Sequence, residues 1–192
     1  MIPIYEQGTG HGIGHSLHSF MSRFELLCQE HLREGRARAF AFVFYDFWDE
    51  EIRRILRDQG VFAQLDRLSG ANLSLFYLHA GRKGTVDRFN AELLQRLGVD
   101  TDVRLPCVIF FHVRENTIED VTIAQLESAN LIHGFHELYG IIERYISGTL
   151  GDIRSEPSYL RLIRSGTQFI GIELFRALLR NVLHGLMERS AL

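Results

Sequence analysis

A chain of 192 residues that is 46% hydrophobic, with 14 Phe, can fill one sizeable core and is too apolar to stay unfolded. Its formal charge of −3, from 24 acidic against 21 basic residues, argues against a general nucleic-acid binder, which needs surplus cations over its footprint. Cys28 and Cys107 are too few and too far apart for a disulfide framework, and no apolar run nears the roughly 18–20 residues that span a bilayer. Met1–Glu6 shows no basic segment leading into an apolar one, so the expectation is a soluble, cytoplasmic protein without membrane or nucleic-acid partners.

Residues 8–16, Gly-Thr-Gly-His-Gly-Ile-Gly-His-Ser, predict a loop with glycine at every second position, preceded by a short strand at Ile2–Tyr5. Ser16 is a good N-cap, and Leu17, Phe20, Met21, Phe24, Leu27, Cys28 and Leu32 follow at helical spacing up to Gly35. Residues 39–48 are almost wholly apolar and aromatic, as in a strand covered on both faces. Helical periodicity returns from Ile52 to Leu68, with a break at Gly60, and Leu73–Leu78 predicts a second strand. A helix through Phe89, Leu93, Leu94 and Leu97 closes at Gly98. The strand led by Pro106 turns at Arg114-Glu115-Asn116 into a hairpin partner at Thr117–Ile123, and a helix spans about Ala124 to Ile146. After a connector at 147–158, apolar residues from Leu160 to Leu186 recur at helical spacing, with Gly166 and Thr167 placed to divide two helices.

The order over residues 37–147 is therefore β-α-β-α-β-β-α. Two segments sharpen it: Arg-Leu-Pro106-Cys-Val-Ile-Phe-Phe at 104–111 and Phe-Ala-Phe-Val-Phe-Tyr-Asp46-Phe-Trp48 at 40–48. Together they resemble the thioredoxin-like superfamily, whose redox strand ends in Asp-Phe-Trp and whose central strand is led by a proline. The resemblance implies an α/β fold: a thioredoxin-like mixed sheet flanked by helices, extended by helices at both termini. The expected division is a loop and helix over 1–36, a core over 37–147, and a connector with amphipathic helices over 148–192. It also implies that Pro106 is cis, facing the redox site and leaving backbone free to pair with an extended substrate. Aligning Asp46-Phe47-Trp48 with the family strand puts Ile52 and Ile55 where the redox cysteines would sit, so ordinary thioredoxin chemistry is not expected.

Four other features bear on chemistry. Cys107 follows Pro106 directly; a lone thiol is reactive only as a thiolate, and Asp46, Asp49, Glu50 and Glu51 crowd the region that would have to stabilise one. The glycine loop, through Gly10, Gly12, Gly14, His15 and Ser16, offers backbone amides to an anion, and Gly14-His15-Ser16 resembles the end of a P-loop. The match fails at Thr9 and at His15, where glycine and lysine are required, and a packed entry loop explains it with fewer assumptions. His11, His15 and His18 would share a helix face suited to a transition metal, but Gly12 and Gly14 disfavour that helix, so no metal or other cofactor is expected. His133-Gly134-Phe135-His136-Glu137 interrupts a helix with glycine and offers imidazoles near a carboxylate, for which packing and solvation suffice.

The expected function is that of a redox-inactive binding or regulatory protein that uses the groove beside Pro106, with Trp48, for a protein partner. An enzyme or sensor taking a phosphorylated ligand or metal at Gly8–Ser16, and a single-cysteine redox protein through Cys107, are the alternatives. The C-terminal stripe either covers the sheet or packs on a second copy as a homodimer.

Overall fold

Six apolar residues in a row have no polar side to turn to water, so Ala39–Phe44 must be covered on both faces; all six are buried. The computed structural model describes residues 2–5, 15–16, 39–57, 73–79, 82–97, 99, 103–114, 117–147, 160–164, 170–171, 177, 180–181 and 184. Among them the elements run β1 (Ile2–Tyr5), β2 (His15–Ser16), β3 (Ala39–Phe44), α1 (Glu50–Arg57), β4 (Leu73–His79), α2 (Lys83–Arg96), β5 (Cys107–Arg114) and β6 (Thr117–Leu126). A 3-10 turn at Ser128–Asn130 leads to α3 (Leu131–Ser147), followed by β7 (Leu160–Arg164) and β8 (Ile170–Gly171). The chain is thus mixed α/β, built on a mixed four-stranded centre in the order β4-β3-β5-β6 with three flanking helices. β1 and β2 extend the β4 side, while β7 and β8 pair with β6 on the other.

β3 and β4 are parallel, as a strand-helix-strand crossover requires, whereas β5 and β6 form an antiparallel hairpin with β5 beside β3. Alternation along the strands sorts the core into two layers. Phe40, Phe42 and Phe44 share one face with Phe76 and Phe111, and Phe89 of α2 packs on them, 6.5 Å from Phe42 and 5.9 Å from Phe44 between ring centroids. The other face carries Tyr77 and Phe110. Tyr77 donates its hydroxyl to the Leu56 carbonyl of α1 at 3.3 Å, and Phe110 lies 5.1 Å from Tyr145 of α3. One face is therefore covered by α2 and the other by α1 and α3.

Several sequence expectations need correction. β3 ends at Phe44 rather than running to Trp48, because the Asp46 side chain closes a turn. Its Oδ1 accepts the Trp48 N–H at 2.8 Å and its carbonyl accepts the Asp49 N–H at 3.1 Å. β6 continues to Leu126, so α3 starts at Leu131 and not near Ala124: Ala124 and Gln125 have ladder partners in both β5 and β7, and Leu126 pairs with β7 while donating its N–H to the Pro106 carbonyl. Gly134 does not interrupt α3, which runs unbroken from Leu131 to Ser147. The largest difference is C-terminal. Leu160–Arg164, expected as helix, is a strand pairing antiparallel with β6, and Ile170–Gly171 pairs with the same strand further along. Leu-Arg-Leu-Ile-Arg also fits a two-residue period, and the unpaired peptide groups along β6 favour a ladder there over an isolated helix. Residues 177, 180, 181 and 184 are helical and exposed, and the rest of the stretch after Gly171 lies outside the described residues.

Candidate functional site

The β3–β5 register sets Phe44 opposite Cys107, so the turn after β3 and the approach to β5 leave the sheet at the same end. β4 also finishes there, since Val43 pairs with Tyr77 and His79 follows two residues on. Carboxyl ends of parallel strands, with helix N-termini above them, are where open α/β sheets leave a crevice.

The turn that carries Trp48 is held on several sides. Asp46 ties it as described, and Asp49 caps α1, its Oδ1 accepting the N–H groups of Glu51 and Ile52 at 3.1 Å each. Glu50 and Glu51 in the first turn complement the helix dipole. Asp49→Ala should cost about 1 kcal/mol of stability by removing this cap; urea unfolding would measure it, and a loss below a few tenths would show the cap to be idle. Phe47 turns inward and is buried, while Trp48 points out with 67% of its surface exposed, meeting Phe47 edge-on at 5.3 Å. It is the large hydrophobic residue left open to solvent among the described residues.

At the same end of the sheet, on the approach to β5, the Leu105–Pro106 peptide is cis, as the resemblance implied. The Pro106 carbonyl accepts the Leu126 N–H at 2.9 Å, joining the β5–β6 ladder. One residue earlier the ladder stops: among the described residues, the Leu105 N–H and C=O make no hydrogen bond. Arg104 beside it is exposed. On the other flank Lys83, exposed at the start of α2, has its pKa raised, first by its hydrogen bond to Asp87 and then by the charges of Asp87 and Asp46.

Cys107 is on the other side of the matter. It shares the sheet face of Phe44, the face covered by α2, and is wholly buried, whereas α1 lies on the opposite face. Burial pushes its thiol up to about 12 from 9.0, so it stays protonated at physiological pH. Ile52 and Ile55, at the positions matched to redox cysteines, are both buried in the core.

The glycine loop is only partly visible. Gly10, Gly12, Gly14, His11 and His18 lie outside the described residues; His15 and Ser16 form β2, extended beside Ile4 and Tyr5. Sheet order places β1, β4 and β3 between β2 and β5, so His15 and Ser16 are four inter-strand steps, roughly 19 Å, from the Pro106 strand. They do not converge on it. Among the described residues no group of three His, Cys, Asp or Glu side chains is placed to hold a metal ion, and no helix is long and apolar enough to cross a membrane.

A second cluster, which the sequence did not announce, lies at the far end of the hairpin. The β5–β6 register shifts between Phe110 and His112, where Asp120 adopts φ 53°. The His112 ring stacks on Tyr145 at 4.5 Å, its Nδ1 is 3.8 Å from Asp120 Oδ2, and Tyr145 donates its hydroxyl to the Asp120 carbonyl at 3.1 Å. No spacing rule links these three residues, because the bulge that joins them exists only in the paired hairpin.

No protein-family model matches the chain, and neither a curated protein nor a solved structure matches it.

Proposed function

We propose that this chain is a thioredoxin-like protein without disulfide chemistry that docks an extended polypeptide segment at the Trp48–Leu105 crevice. The observation that carries the reading is that an exposed Trp48 and Leu105, whose peptide groups make no hydrogen bond among the described residues, both flank the same end of the sheet. Main-chain groups left free where a ladder stops can accept another strand, and an exposed aromatic ring offers apolar contact beside them. Further support comes from the strand order β4-β3-β5-β6 with β5 antiparallel, and from the cis bond before Cys107, both of which fit the family the sequence resembles. Buried Ile52 and Ile55, and a thiol held protonated on the opposite face, leave that crevice without a redox pair.

Two measurements test this. In an insulin-reduction assay the protein should turn over no faster than a free-thiol control; catalysis abolished by Cys107→Ser would overturn the redox-inactive reading. Binding is tested on an array of immobilised random 12-residue peptides, followed by titration in solution. Peptides that bind should lose about tenfold or more in affinity with Trp48→Ala, the scale of a buried aromatic anchor. An array with no binder, or binders indifferent to Trp48, would sink the docking reading.

A further inference from the structure

With 67% of its surface exposed, Trp48 gains little from burial to hold its ring, and that ring meets the ring of the residue before it. That residue, Phe47, is clamped by Arg53 from the first turns of α1. The Arg53 Cζ lies 4.4 Å over the Phe47 ring centroid, and its Nη1 donates to the Phe47 carbonyl at 3.4 Å. The guanidinium therefore grips both the ring and the peptide group that leads into Trp48. The Phe47 and Trp48 rings in turn meet in a T-shaped arrangement at an interplanar angle of 79°. Neighbouring Arg54 has no such role: its side chain is 75% exposed and lies 4.0 Å from Glu51.

From this geometry we propose that Arg53 is a positioning residue, locking the Phe47–Trp48 pair so that Trp48 is presented outward at the crevice. The inference rests on the docking role given to Trp48 above, but its physical content concerns the orientation of that ring with nothing bound. Planar stacking combined with hydrogen bonding is specific to arginine; lysine retains the charge over the ring and loses the fork. An exposed cation–π contact biases the held conformer by roughly two- to fivefold over the released one.

Trp48 is the single tryptophan of the chain, so its fluorescence reports this position alone. The test is time-resolved anisotropy on the intact protein without peptide, for the parent, Arg53→Ala, Arg53→Lys and Arg54→Ala, with circular dichroism to establish folding. Arg53→Ala should raise the fast local-motion amplitude of Trp48 by up to about two- to fivefold, Arg53→Lys should fall between it and the parent, and Arg54→Ala should match the parent. Unchanged local motion in a folded Arg53→Ala protein overturns the proposal, as does an equal change in Arg54→Ala. Should Arg53→Ala not fold, Arg53→Lys decides: parent-like motion overturns the proposal. Peptide binding is read separately. A parent protein that binds no peptide while Arg53→Ala loosens Trp48 would defeat the docking reading and leave the positioning role standing.

Discussion

Phe42→Ala is expected to lower the unfolding free energy by about 3–5 kcal/mol, the range for deleting a phenyl ring from a core that cannot fully collapse. Phe42 is wholly buried on the central strand, and its ring meets Phe76 at 5.4 Å, Phe111 at 6.1 Å, Phe44 at 6.4 Å and Phe89 at 6.5 Å between centroids. These neighbours come from β3, β4, β5 and α2, so a void left there touches four elements of the fold. Aromatic pairs also contribute beyond their buried area, by about 0.5–1.5 kcal/mol each. Against a total stability of about 5–15 kcal/mol for a protein of ordinary size, a loss on that scale is severe. Urea unfolding monitored by circular dichroism gives the value directly. A loss under about 1 kcal/mol would mean that the aromatic layer is loosely packed.

Cys107 should impose an alkaline limit on stability. Burial pushes its thiol up to about 12, against 9.0 for the free group. In the unfolded chain the thiol ionises first, and ionisation there draws the equilibrium away from the folded state. The contribution tied to Cys107 is whole below pH 9, diminishes as pH rises, and has fallen by about 4 kcal/mol near pH 12. Other groups titrate in that range, so the measurement is a comparison: denaturant midpoints of the parent and Cys107→Ala from pH 7 to 11. The parent should lose stability faster than the variant above pH 9. Parallel curves would show that the thiol is hydrated or that the unfolded chain protects it equally.

Much of the core was legible because it needed only local information. The run Phe40–Phe44 has no polar alternation, so it had to be covered on both faces, and every residue in it is buried. Thr117 onward read as the partner of the Pro106 strand from the turn residues before it, and the hairpin is present. The cis bond at Pro106 was reached through resemblance, not through any property of the peptide itself.

The misread segments share one cause. Periodicity measures where apolar side chains fall, whereas ladder partners decide which backbone conformation satisfies the peptide groups. Ala124–Leu126 looked like the start of a helix and became strand because β5 and β7 lie on either side of them. Leu160–Arg164 fits both a helical and a two-residue period, and the open edge of β6 selected the latter. At the site, the sequence by itself determined the residue types: an aspartate turn ahead of Trp48, two isoleucines at the positions matched to redox cysteines, a lone thiol after Pro106. Tertiary structure alone decided their geometry. It set Trp48 outward and Cys107 inward, stopped the ladder at Leu105, laid Arg53 over Phe47, and held His15 and Ser16 on β2, with three strands between it and β5. Each of these depends on which strand neighbours which, a relation between residues far apart in the chain that no local pattern encodes.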